Sequence, residues 1–125
     1  MKKFPNISHI DPNSLDGLNH LGKFLVDVQF LSGAIPSNQD GSHDPWDHLE
    51  ALMGLTTLGY KTQALKGLNW MVSNQNQDGS WYNLYQDEKP LELNKQTNYA
   101  AYVAVAVWHF YLINNDVNFL QEFWE

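Results

Sequence analysis

Residues 66–81 read Lys-Gly-Leu-Asn-Trp-Met-Val-Ser-Asn-Gln-Asn-Gln-Asp-Gly-Ser-Trp, and this stretch restricts the fold more than any other. Leu65, Leu68, Met71 and Val72 recur at spacings of three and four, the signature of one helix face. The helix breaks at Asp78-Gly79, where glycine tolerates positive φ, and Trp81 follows at once. Gln75, Gly79 and Trp81 therefore read as a structural staple tying a helix end to the next element. An earlier copy exists. Residues 38–42, Asn-Gln-Asp-Gly-Ser, repeat residues 76–80 letter for letter, with His43 where the second copy has Trp81. Phe24-Leu25 and Gln29 match Trp70-Met71 and Gln75, and residues 119–124 resemble 65–70. A repeat of about 50 residues points to a repeated helical hairpin.

The rest of the chain supplies helix boundaries. Residues 1–13, with Pro5 and Pro12, read as a loosely held arm, and residues 14–125 as one domain. Ser14 caps a helix over about 15–31, with Leu15, Leu18, Leu21, Leu25 and Val28 as its buried stripe. Asp44-Pro45 starts a second helix, ending near Leu58-Gly59. A third spans about 62–76, a fourth about 96–113, and a fifth begins at Asp116. Residues 32–43 and 77–95 read as long loops. The second and fourth helices are apolar all round and need neighbours on every side; the others have a wet face. That alternation predicts an all-α fold of antiparallel hairpins in two layers, the apolar helices inside. The long loops lie where the inner helices begin, which marks that end as functional.

Composition narrows the function classes. A net charge of −7 with no basic cluster argues against nucleic acid and anionic membrane surfaces. With no cysteine, disulfides and thiolate metal sites are excluded. Met1-Lys2-Lys3 starts like a signal peptide but lacks an apolar run behind it, and the uncharged run 96–115 carries Gln, Asn and His. No membrane span and a cytoplasmic location are the expectation.

The densest polar cluster is His43-Asp44-x-x-Asp47-His48-x-Glu50. Asp47 and Glu50 are three apart and share a helix face, so the cluster can serve as a general acid/base set or a metal site. It can equally be capping, because carboxylates in a first turn complement the helix dipole. Asp44 suits the cap; Asp47, His48 and Glu50 are the catalytic candidates. Trp46, Asn98, Tyr99 and Tyr82 are the candidate ligand-lining residues, and Trp81 and Tyr85 are read alongside them as stacking or core aromatics. Residues 74–85 superficially resemble a calcium loop, but its last position is Tyr85, which supplies no carboxylate. His109 reads as a core histidine.

Lys66-Gly67, Trp70-Met71, Gln75 and Gly79-Ser80-Trp81 resemble the QW motif of the triterpene cyclases. By that resemblance the chain looks like part of the α/α-toroid superfamily, which includes terpenoid cyclases and protein prenyltransferases. Asp44-Pro45-Trp46, Thr97-Asn98, Ala101-Tyr102-Val103, Trp108-His109, Phe119-Leu120 and Phe123-Trp124 are similar to bacterial prenyltransferase-like proteins. The back half also resembles six-hairpin glycosidases. The resemblance implies an incomplete toroid of two and a half hairpins, the N-terminal part of a longer protein or a remnant inactive alone. It implies a small-molecule substrate, isoprenoid or carbohydrate, and self-association through the open edge. The cyclases' Asp-x-Asp-Asp motif and the prenyltransferases' zinc-binding cysteine are missing, so no cofactor or metal is expected.

Overall fold

The computed structural model describes residues 4–124. The basic start at residues 1–3, Glu125 and the side chain of Trp124 lie outside that description. The elements run α1 (Leu15–Val28), β1 (Ser42–His43), α2 (Pro45–Thr57), α3 (Lys61–Ser73), β2 (Tyr82–Gln86), β3 (Lys89–Lys95), α4 (Thr97–Asn114) and α5 (Val117–Trp124).

Local chemistry sets the helix starts. Ser14 Oγ accepts from the Gly17 N–H at 2.9 Å, and Asp44 Oδ1 accepts from the Asp47 N–H at 2.9 Å with Pro45 opening the helix. At the far end of α4, Asn115 ends the helix with a left-handed φ of 50°.

The two Asn-Gln-Asp-Gly-Ser turns are built alike. Asn38 and Asn76 each donate a side-chain N–H to a serine hydroxyl four residues on, at 3.0 and 3.2 Å. Asp40 and Asp78 each accept the N–H two residues on, from Ser42 and Ser80. Gly41 and Gly79 hold φ of 86° and 79°, which only glycine adopts without strain. The repeat is thus a repeat of hydrogen bonds.

The expectation of an all-α, incomplete α/α toroid is corrected. Residues 82–95, read as loop, form a β-hairpin, and β1 joins it to make a three-stranded antiparallel sheet in the order β1-β2-β3. The described residues form a mixed domain of five helices and one sheet. Asp87 and Glu88 make the hairpin turn with φ of 47° and 67°, the left-handed pair that a tight two-residue hairpin requires. Neither is glycine or asparagine, which is why the turn was not legible. The two-layer arrangement of fully enclosed inner helices fails as well. α2 buries Leu49, Leu52, Leu55 and Thr56 between its neighbours, yet α4 buries Tyr99, Ala106, Val107 and Phe110 and turns Val105, Trp108 and Leu112 to solvent. On α1, Leu15 and Leu18 of the expected stripe are exposed, and Gly17, Gly22 and Val28 make the close contacts.

The core joins α2, α3 and α4 around Leu49, Leu52, Leu55, Leu68, Met71 and Phe110. Trp81 is buried against it, and its Nε1–H donates to the carbonyl of Met71 at 2.8 Å, satisfying an acceptor at the end of α3. Gln75 closes the same turn by donating to the Gly79 carbonyl at 3.2 Å. Phe4 packs edge-on against Phe24, ring centroids 5.6 Å apart, so the arm lies on α1.

Candidate functional site

The first turns of α2 and α4 meet beside the β2–β3 hairpin, and the candidate residues divide there into two groups. Asp47 and Glu50 reach solvent and line one groove of about 460 Å³, whose wall is built by Phe4, Phe24, Ile35 and Pro36. Their three-residue spacing on α2 puts them on that side together.

Glu50 is positioned by two donors. Trp46 Nε1–H donates to its Oε1 at 2.9 Å from one turn earlier, and the Tyr102 hydroxyl donates to the same oxygen at 3.1 Å from α4. The Trp46 and Tyr102 rings stack with centroids 4.1 Å apart and planes 12° apart. Desolvation, and then the Glu50 carboxylate, hold the Tyr102 hydroxyl above its usual range.

Asp44 sits behind them, half-buried at the N-cap. Burial pushes its carboxyl up, the capping hydrogen bond from the Asp47 N–H opposes that, and the charges of Asp47 and Glu50 add to the rise. Tyr99 is buried; its hydroxyl donates to Asn83 Oδ1 at 3.1 Å, and Gln96 donates to the same oxygen. Asn83 in turn donates to Glu92 at 2.8 Å. Burial, then Asp44, Asp47 and Glu92, raise the Tyr99 hydroxyl. Four carboxylates and two tyrosines therefore gather at this end of the molecule.

His48 belongs to a different environment. It is fully buried, its Nδ1 accepts from the Ile35 N–H at 3.1 Å, and its Nε2–H donates to the Gly67 carbonyl at 3.1 Å. The Ile35 bond fixes the tautomer, and burial holds the ring neutral, with a pKa lowered to about 3. His43 is buried next to it among Phe30, Trp70 and Tyr85; its Nδ1 faces the Gly41 carbonyl, and its Nε2 has no hydrogen-bond partner among the described residues. Of the lining candidates, Trp46 and Tyr99 join the cluster. Asn98 is exposed on α4, and Tyr82 sits on β2 under the Lys95 ammonium, 5.6 Å from the ring centre. Among the described residues no three His, Asp or Glu side chains converge to hold a metal ion, and no helix is long and apolar enough to cross a membrane.

Tyr102, Asn83, Glu92 and Phe24 are not among the site residues that the sequence reading singles out. Only the Trp46–Glu50 contact carried a local signal, the i,i+4 spacing. Tyr102 lies 52 residues from Glu50.

No family model matches the chain. It is 38% identical over 100 residues to a Mycolicibacterium hassiacum protein described as MMP endo-(1,4)-3-O-methyl-alpha-D-mannosidase. The match covers 80% of this chain and 28% of that protein, so the chain spans under a third of the curated relative's length. The similarity is to a carbohydrate-acting protein, and the isoprenoid reading, with its cyclase and prenyltransferase terms, has no support from it.

Proposed function

We propose that this chain carries the sugar-binding groove of a carbohydrate-cleaving protein, with Asp47 and Glu50 as the groups that touch substrate. One observation carries the reading. Two solvent-reaching carboxylates share a groove with an aromatic and aliphatic wall, in a chain 38% identical over 100 residues to part of an endo-mannosidase. Carboxylates suit sugar hydroxyls, and the Phe4–Phe24 and Ile35–Pro36 wall suits the apolar faces of a pyranose. A 3-O-methyl sugar, the class in the relative's description, adds a methyl group for that wall to cover.

Glycoside cleavage uses one carboxylic acid to protonate the leaving oxygen and one carboxylate as base or nucleophile. Glu50, held by two donors to Oε1, is oriented as an acceptor, the stance of the second role. The counterpart role is assigned to Asp47, which lines the same groove from three residues earlier on α2. Burial and the charges of Asp47 and Glu50 raise the proton affinity of Asp44 behind them.

The test is a titration of the chain with an α-(1,4)-linked 3-O-methylmannose oligosaccharide, followed by amide chemical shifts. Shifts grouped at Phe24, Ile35, Asp47 and Glu50, weakened at least about tenfold in Asp47→Asn and Glu50→Gln, support the groove; about tenfold corresponds to one charged hydrogen bond. Shifts elsewhere, or none at millimolar sugar, overturn it.

A further inference from the structure

Residues 96–115, α4 and its two flanking caps, contain no Asp, Glu, Lys or Arg, in a chain that carries −7. One side of it packs on α2 and α5; the other shows Ala100, Ala101, Ala104, Val105, Trp108 and Leu112 to solvent. Val105 is 50%, Trp108 51% and Leu112 61% exposed. Together with the alanines this makes an apolar stripe on the order of 500 Å², at the upper end for the largest patch of a monomer. Beside the protruding indole lies a shallow apolar groove of about 200 Å³, lined by Ala100, Val103, Ala104, Val107 and Trp81.

We infer that this face pairs with the same face of a second copy of the chain. Three features select that occupant. The face is self-complementary: an antiparallel pairing centred on Ala104 places each Trp108 over the partner's Ala100, so a knob on one copy meets the hollow beside Ala100 and Ala104 on the other. Such isologous contact is what a two-fold dimer requires. The face is also neutral, so two acidic chains meet without opposing carboxylates; an unrelated basic partner would find no charge here to bind. Finally, the stripe supplies more than half of the roughly 800 Å² per partner of a standard interface, the flanking Thr97 and Ile113 extending it. The inference is independent of the sugar groove, which involves a different set of residues.

Sedimentation equilibrium of the 125-residue chain, at low and high salt, tests it. A dimer that tightens with salt is expected, since salt screens the repulsion of like-charged chains. Val105→Glu and Leu112→Glu, both at exposed positions, are expected to give monomers with unchanged helical circular dichroism. Leu15→Glu, at an apolar position 75% exposed on α1, is expected to leave the dimer intact. The register has its own test. The chain has no cysteine, so Ala104→Cys with a short thiol-to-thiol cross-linker is expected to trap a covalent dimer, and Asn69→Cys is not. A monomeric chain, a dimer that survives Val105→Glu and Leu112→Glu, or equal trapping at both cysteines overturns the inference.

Discussion

The Nε2–H of His48 donates to the carbonyl of Gly67, joining α2 to α3 through a side chain with no exposure to solvent. Its other nitrogen accepts from Ile35, so one neutral imidazole ties two helices and the segment after α1. Protonation would place a second N–H against the Ile35 N–H. The pKa of about 3 against an ordinary 6.5 has a direct consequence for stability. Below pH 6.5 the unfolded chain takes up a proton that the folded chain refuses, so stability is full above that pH and falls as pH drops toward 3. The expected loss between pH 6 and pH 4.5 is about 2 kcal/mol, at about 1.4 kcal/mol per pH unit. His43, its pKa lowered chiefly by burial, adds in the same direction. Asp40, Asp78 and Asp116, held below the usual carboxylate range, lose their contribution only under pH 4. Urea unfolding across pH 4.5–7 checks this, and a flat profile there contradicts the buried neutral ring.

Gly67 itself predicts a pair of substitutions with opposite signs. A Cβ at Gly67 would lie 2.2 Å from Leu52 Cδ2, inside the α2–α3 contact. Gly67→Ala is expected to destabilise by roughly 1–3 kcal/mol, since overpacking exceeds the helix-propensity gain. Gly54 lies in the body of α2, and a Cβ there meets only Leu25 at 4.0 Å. Gly54→Ala is expected to stabilise by up to about 1 kcal/mol. Melting curves of the two variants settle the sign of each.

The second turn makes a separate prediction about its indole. Trp81→Ala removes a buried ring and exposes the Met71 carbonyl, so a cost of roughly 3–5 kcal/mol is expected. Trp81→Phe keeps most of the packing and loses the 2.8 Å hydrogen bond, which is expected to cost about 1–2 kcal/mol. Equal losses in the two variants, read from denaturant midpoints, would mean that the hydrogen bond and not the packing holds the turn.

The parts of this fold that were legible in the sequence are those settled within a few residues. Ser14 and Asp44-Pro45 announce their helices because a cap is a local hydrogen bond. The paired Asn-Gln-Asp-Gly-Ser segments fold alike because every bond in them spans four residues or fewer. The sheet was hidden for converse reasons. β1 is two residues long, β3 is exposed along its whole length and so lacks an alternation of burial, and the Asp87-Glu88 turn has no glycine. α4 looked enclosed because it is apolar all round, but periodicity cannot say whether a partner is there. In the site, Asp47 and Glu50 were readable as one face. The same periodicity placed His48 elsewhere: His48, Leu52 and Leu55 follow the i, i+4, i+7 spacing, and all three are buried. Acidic composition drew His48 into the cluster, and the stripe is the stronger signal.

The position of Glu50 yields the last prediction, which separates positioning from contact. Trp46 holds Oε1 from the same helix, and Tyr102 holds it from α4, the two rings stacked at 4.1 Å. Tyr102→Phe keeps the stack and removes one donor. Since the pair is largely exposed, its loss is expected to leave the melting temperature nearly unchanged, and to weaken sugar binding only about threefold to tenfold through a less fixed carboxylate. Glu50→Gln removes the charge itself and is expected to weaken binding further. Trp46→Ala removes both donor and stacking partner and is expected to fall between them. The hydroxyl offers a readout that does not depend on any sugar. Because desolvation and Glu50 raise its pKa, the Tyr102 proton is lost at higher pH than that of an ordinary tyrosine. The phenolate absorbance of wild type minus Tyr102→Phe is expected to titrate above 10, and to move down toward the ordinary value in Glu50→Gln. A Tyr102 transition that Glu50→Gln leaves in place would show that the tyrosine does not hold the carboxylate, and the ordered geometry of Glu50 would then rest on Trp46 alone.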